Sequence, residues 1–261
     1  MRALQIGATG MQAQQLNVEV ISNNIANMTT TGYKLQRPAF QDLLYENVTR
    51  PGSQSSDIGT IVPSGIQLGS GVRAAAVYRV DTQGDLQQTG NQLDLAVTGQ
   101  GYFQIELPNG DTAYTRDGSF QLNANGQVVT GDGYVVKPGL VIPKATTAIT
   151  VNTDGQMFAK VDGTTNPVSV GQVELATFAN NAGLEATGNN LFLETPASGV
   201  PVTGAPGALG FGTITQGSLE SSNVNIVSEV TNLIAAQRAY EMNSKVIQTS
   251  DQMLNDINQM H

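Results

Sequence analysis

Apolar side chains recur every seventh residue at both ends of this chain. Leu4, Met11, Val18 and Ile25 form one series, with Gly7, Gln14, Ile21 and Met28 three places later. Ile226, Leu233, Tyr240, Ile247 and Leu254 form a longer one, supported by Val230 and Ala236. No Gly or Pro follows Gly217. A heptad held over four intervals reads as a coiled-coil seam, because repetition every two turns keeps one stripe on one face. A helix over 226–259 would be about 50 Å long. One such stripe does not offset the entropy of ordering so long a segment. The N-terminal helix is weaker still, since Gly7, Thr9, Gly10, Asn17, Asn23 and Asn24 all rank below alanine in helix propensity. The two ends can pair as a hairpin within one chain. Polar seam positions such as Gln14, Asn243 and Ser250 leave that pair modestly stable, so helices from further copies are the expected completion.

The middle of the chain follows a different rule. Asn-Gly at 109–110 and 125–126, and Asp-Gly at 117–118, 132–133, 154–155 and 162–163, tolerate the positive φ angles of tight hairpin turns. Short strand-like runs lie among them: Tyr102-Phe103-Gln104-Ile105, Ser119-Phe120-Gln121-Leu122, Gln127-Val128-Val129 and Tyr134-Val135-Val136. This punctuation predicts an antiparallel β domain, a sandwich or an irregular barrel. The fold class is therefore α+β. Long N- and C-terminal helices, within 1–44 and 226–261, pack as a coiled-coil core domain; 45–71 is an extended arm or linker; 72–225 is a central, mainly antiparallel outer β domain. The arm holds Pro51, Pro63 and five glycines and reads as a stretch of low regularity, either flexible or laid against something. The stretch from Pro196 to Gly212 reads as a surface loop.

Composition narrows the chemistry. Cysteine is absent and the single histidine is His261, which excludes disulfides, thiolate nucleophiles, histidine triads and histidine metal clusters. The net charge of -9 repels nucleic acid and anionic lipid. That charge is unevenly spread: residues 1–80 hold six basic and four acidic side chains, 81–225 hold four and thirteen, and 226–261 hold two and four. Near-neutral ends can be crowded together in many copies, whereas an acidic domain favours water. The 23 Gln and 21 Asn outnumber all charged side chains and suit packing surfaces and turns better than catalysis. No enzyme activity, cofactor or metal is expected, and no membrane insertion, since no apolar run approaches a membrane span. After Arg2 the chain is broken by Gln5, Gln12, Gln14 and Gln15 before an apolar signal region can form, so any export is expected to use no cleaved signal.

Several short motifs have a family likeness. Ser22-Asn23-Asn24-Ile25-Ala26-Asn27 followed by Thr30-Thr31-Gly32-Tyr33-Lys34 resembles the N-terminal signature of bacterial flagellar rod and hook axial proteins. Asn223-Val224-Asn225 with Glu229, then Gln237-Arg238-Ala239-Tyr240-Glu241-Met242-Asn243-Ser244-Lys245, resembles their C-terminal signature. Gly99-Gln100-Gly101-Tyr102-Phe103 and Tyr114-Thr115-Arg116-Asp117-Gly118-Ser119-Phe120 match the β-domain core of the longer members. The parts follow in the family's order over nearly the whole chain. Within the family, the arm Arg50-Pro51-Gly52 onward to Pro63-Ser64-Gly65 resembles the insertion of the distal-rod members, which by resemblance wedges between subunits and keeps the polymer straight.

The resemblance implies a structural subunit that polymerises into a rigid hollow helical shaft, carrying torque from motor to hook. Its terminal helices would lie innermost, with Leu4, Met11, Val18, Ile25, Ile226, Leu233, Tyr240, Ile247 and Leu254 as the assembly residues. Its implied partners are further copies of itself, proximal-rod proteins, the hook protein, the outer-membrane and peptidoglycan ring proteins, and the flagellar type III export apparatus. Its implied place is the basal-body rod, spanning the periplasm and outer membrane. The competing readings are a proximal-rod or hook subunit and, from another class, a secreted β-domain carbohydrate binder or hydrolase. Simpler roles also exist for single residues. Asn23, Asn24 and Asn27 can cap a helix C-terminus in the left-handed conformation, with Gly32 and Tyr33 forming the turn beyond. Arg238 and Glu241 can form an ordinary surface ion pair. Gly99-Gln100-Gly101 lacks the third glycine of a nucleotide fingerprint.

Overall fold

A computed structural model describes residues 2–50, 64–163 and 166–259. The chain divides into two compact units, the first drawn from 1–25, 36–78 and 225–261 and the second from 26–35 and 79–224. Residues 72–78, expected with the β domain, thus fall with the helices, and 26–35 fall with the β unit.

In the first unit, α1 spans Arg2–Ala26 and α2 spans Ile226–Gln259. Asn225 starts α2 as an N-cap: its Oδ1 accepts from Ser228 N at 3.1 Å, satisfying an amide that has no partner inside the helix. The two helices run antiparallel, since Gly7 meets Ile247, Gly10 meets Asn243 and Asn24 meets Glu229. Closeness is the reason for the glycines. A Cβ on Gly7 would lie 2.9 Å from Ile247 Cγ1, and one on Gly10 would lie 2.9 Å from Asn243 Nδ2. Most fully buried helical positions among the described residues are small or polar, namely Gly7, Ala13 and Asn24 on α1 and Glu229, Ala236 and Ser250 on α2, with Val20 and Ile21 as the larger apolar exceptions.

Four strands complete this unit. β1 (Gln36–Asp42) pairs with β4 (Val72–Arg79), and β2 (Tyr45–Thr49) pairs antiparallel with β3 (Ile66–Gly69), Tyr45 opposite Gly69 and Asn47 opposite Gln67. Both ends of the expected low-regularity arm are therefore strand. Their pairing depends on partners about 20 residues apart, which single-strand propensity does not reveal. Pro51, Gly52 and Pro63 lie outside the described residues; Arg50 and Gly65 flank them.

The second unit is antiparallel β throughout its described ladders. Its strands are β5 (Leu86–Gln88), β6 (Leu95–Thr98), β7 (Tyr102–Glu106), β8 (Thr112–Thr115), β9 (Gln121–Leu122), β10 (Val128–Val129), β11 (Val135–Val136) and β12 (Thr146–Val151). They continue as β13 (Gln156–Val161), β14 (Val168–Gln172), β15 (Leu175–Thr177), β16 (Glu185–Gly188), β17 (Leu191–Leu193), β18 (Val202–Gly204), β19 (Thr213–Gln216) and β20 (Ser218–Glu220). The main sheet runs β16-β17-β8-β7-β11-β10-β9, with β15 also on β7 and β18 on β15. β18 lies inside the expected Pro196–Gly212 loop, where Val202, Thr203 and Gly204 oppose Thr177, Ala176 and Leu175.

Side-chain alternation on β7 divides the interior. Phe103 and Ile105 enter the larger cluster, where Phe103 meets Phe120 edge-on at 5.1 Å beside Leu95, Met157, Leu175 and Ile214. Tyr102 turns to a second cluster with Tyr114, Leu184, Phe178 and Phe192. Five of the six predicted Asn-Gly and Asp-Gly turns have a left-handed glycine, at Gly110, Gly126, Gly133, Gly155 and Gly163. The exception is Gly118. It is needed for space: its carbonyl accepts from Leu95 N at 3.1 Å, and a Cβ there would lie 1.7 Å from Leu95 O.

Gly118→Ala should therefore push β6 from its place and cost about 3 kcal/mol, roughly 6–12 °C in Tm. Gly131→Ala, whose Cβ meets nothing within 4 Å, should leave Tm unchanged in the same melting experiment.

Candidate functional site

The turn at Thr31-Gly32-Tyr33-Lys34 delivers a lysine into the interior of the second unit. Gly32 has φ +66 and donates its N–H to Glu220 O at 2.8 Å, and a Cβ there would lie 2.8 Å from Arg116 C and Asp117 N. No larger residue fits that approach. Lys34, 3% exposed, then donates from Nζ to Glu220 Oε1 at 2.6 Å and to Thr82 O at 2.9 Å. Arg116, also buried, reaches Glu220 Oε2 at 3.3 Å and Gly99 O at 2.7 Å, and lies 5.2 Å over the Tyr102 ring. Gly84 N donates to Glu220 Oε1 at 3.0 Å. One carboxylate thus pairs with two cations and takes a backbone donor, all away from water.

Burial drives the titration of this region. It lowers the pKa of Lys34, against the pull of the Glu220 carboxylate, which favours the charged amine. It pushes the Tyr102 phenol up to about 12, with Asp81 adding to the shift while Arg116 and Arg79 oppose it. Arg79 stacks over Phe192 at 4.5 Å and donates to the carbonyls of Leu184 and Asn181.

The heptad residues are placed less deeply than their size suggests. Leu4, Met11, Val18 and Ile25 are half-buried on α1, as are Leu233, Ile247 and Leu254 on α2. Ile226 and Tyr240 stay 47% and 42% exposed. A groove of about 470 Å³ runs past Gln15, Val18, Glu19, Gln237, Tyr240 and Glu241. Among the motif residues, Asn24 is buried in the last turns of α1 and bonds Gln36 and Glu229. The left-handed cap expected of Asn23, Asn24 or Asn27 does not form, since Asn189 and Asn190 are the non-glycine residues of positive φ among those described. Asn27 instead accepts from Thr30 through its backbone O and its Oδ1. Tyr33 is half-buried, and Asn243 faces Gly10. Gln237, Arg238 and Glu241 are exposed, and the described ion pairs are Arg2–Glu46, Lys34–Glu220 and Arg116–Glu220, so Arg238 and Glu241 form none.

Sequence reasoning missed the Lys34–Glu220–Arg116 cluster. A signal existed, because Gly32 before Lys34 and the Arg116-Asp117-Gly118 turn each pair a charge with a glycine of close approach. Glu220→Gln should leave two buried cations without the carboxylate they share and cost about 3–5 kcal/mol by urea titration of the full chain. A separate effect belongs to Tyr102. Its folded pKa lies above the ordinary 10, so its contribution is complete below pH 10 and is lost as pH rises toward 12. That loss amounts to about 3 kcal/mol. Tyr102→Phe should remove it, read as a smaller fall in urea midpoint between pH 10 and 12 than in the unaltered chain.

The same geometry organises the similarity to known proteins. Residues 4–34 match the model of the flagella basal body rod protein, 96–159 that of the flagellar hook protein FlgE/F/G D1 domain, and 215–260 that of the flagellar basal body rod FlgEFG protein C-terminal. Each match contains one member of the buried cluster: Lys34, Arg116 and Glu220 in turn. The flagellar basal-body rod protein FlgG of Caulobacter vibrioides is 58% identical over 260 residues, covering 100% of this chain and 99% of that protein. FlgG of Agrobacterium fabrum is 52% identical over 97% of both chains, and FlgG of Bacillus subtilis 37% identical over 98% of both. The chain belongs to the FlgG family of flagellar basal-body rod proteins, structural subunits of the distal rod.

Proposed function

We propose that the chain polymerises into a rigid, hollow helical shaft that carries torque from the flagellar motor to the hook. One observation supports this most directly. The fully buried apolar side chains described in the first unit are Ala13, Val20, Ile21 and Ala236, while both hydrophobic clusters lie in the second. The first unit instead leaves Leu44, Tyr45, Val48, Ile66 and Leu68 exposed on and beside the β2–β3 ribbon, and Val227, Val230, Ile234, Met242, Val246 and Met253 exposed on α2. Large apolar surface on one unit of a monomer marks an interaction face. In the polymer the terminal helices pack as coiled coils around the channel, and the heptad residues from Leu4 to Leu254 contribute the contacts. The 45–71 arm, including Arg50, Pro51, Gly52, Pro63 and Gly65, locks neighbouring subunits and keeps the shaft straight.

The subunit's further neighbours in this reading are proximal-rod proteins, the hook protein and the ring proteins of the periplasm and outer membrane. It reaches them through the flagellar type III export apparatus. The role is mechanical, without catalysis: packed interiors resist shear, so a continuous helical core passes rotation along the axis.

Seeded assembly of purified protein, followed by sedimentation and electron microscopy, tests the reading. The double substitution Met242→Glu and Val246→Glu, at positions 64% and 46% exposed, should leave the folded chain unchanged by circular dichroism. It should raise the critical concentration for polymer at least tenfold. Deletion of residues 46–63 should yield curved polymer. Wild-type chain that stays monomeric at every concentration and with every seed would defeat the proposal.

A further inference from the structure

Two asparagines hold hydrogen bonds that neither the helices nor the sheets require. The chain passes between its units four times, at 25/26, 35/36, 78/79 and 224/225. In the first unit Asn24, 1% exposed, accepts from Gln36 N on Oδ1 at 2.9 Å. Its Nδ2 donates to Gln36 O at 2.8 Å and to Glu229 Oε2 at 3.0 Å. One amide therefore satisfies both backbone groups of residue 36, as a neighbouring strand would. It ties together the ends of three chain segments that leave this unit.

The second unit repeats the device with a different residue. Asn223 Oδ1 accepts from Leu35 N at 2.7 Å, and Nδ2 donates to Val80 O and to Thr82 O, each at 2.9 Å. Val80 N also donates to Leu35 O at 2.8 Å, so the backbone at 35, 80 and 82 is held by one amide and one ladder bond. Between them the two side chains bond the backbone beside the crossings at 35/36 and 78/79, and the two asparagines themselves stand beside those at 25/26 and 224/225. Helix propensity does not explain Asn24, since Asn ranks below most residues in a helix interior. Burying an amide is unfavourable unless its donor and acceptor are used, and both asparagines use theirs on the chain at a crossing.

We propose that Asn24 and Asn223 are positioning residues for force transmission. They act as amide clamps that fix the backbone where it leaves each unit, so that torque is not dissipated by local opening. The mechanical half rests on the shaft reading above; the clamp itself does not.

Amide hydrogen exchange on the full-length, unassembled chain tests the clamp independently of any shaft. In Asn223→Ala, exchange at Leu35 N–H should accelerate at least tenfold while the core amides of Ile105 and Leu175 keep their rates. Asn24→Ala should do the same at Gln36 N–H. Asn223→Asp retains an acceptor for Leu35 and loses the donations to Val80 and Thr82, so Leu35 should remain protected. Unchanged exchange at both positions in the alanine variants would overturn the proposal. So would equal acceleration at Ile105 and Leu175, which marks general destabilisation. The second measurement is motor torque under high viscous load, in cells whose rods contain normal amounts of each alanine variant. Torque lower than wild type supports the mechanical role, and wild-type torque from chains with open clamps overturns it.

Discussion

The second unit is organised around a charge that has no access to water. Glu220 closes the β sequence at β20, Arg116 follows β8, and Lys34 arrives from the segment after α1, so the cluster joins chain positions up to 186 residues apart. Taking three ionised groups out of water is strongly unfavourable, and their mutual attraction offsets it when each finds the others in place. A packing that separated the three would leave an uncompensated buried charge and is strongly disfavoured. Gly32 and Gly84 follow from the arrangement, because the backbone must approach within hydrogen-bonding distance of Glu220.

Among its described residues the first unit has no comparable interior. Its helices approach through Gly7 and Gly10, its fully buried apolar residues are few and mostly small, and its larger ones stay half-buried or exposed. A close helix pair built on small residues buries little apolar area per residue. This explains why the unit with the strongest sequence periodicity has the thinnest core. The heptad residues stay half-buried or exposed, so the period describes a partly open helical face more than a deep core.

How far the sequence revealed this differs by element. The period over 226–259 fixes a helix of the observed extent, because one stripe of Leu233, Ile247 and Leu254 survives into the structure at half burial. It misleads on depth: Ser250 and Glu229 are buried while Tyr240 is not, because small or bonded groups fit where helices nearly touch. Asn-Gly and Asp-Gly pairs reveal turns wherever the turn is local. Gly118 escapes that rule because its reason, the Leu95 carbonyl, lies elsewhere in the chain. The β2–β3 ribbon and β18 were hidden for a similar reason, since their short strands acquire meaning only from distant partners. The buried cluster was illegible as a group, although each member sat in or beside a motif already singled out by resemblance.

The interleaving of the two units has a consequence for timing. The second is nearly continuous along the chain, whereas the first needs residues from both extremities. A chain delivered from its N-terminus has α1 early, yet that helix lacks its partner until the final residues emerge. The β unit can begin to order while the flanking segments wait, and long-range closure comes last. The helical unit, which needs both extremities of the chain, is therefore the last part that can close.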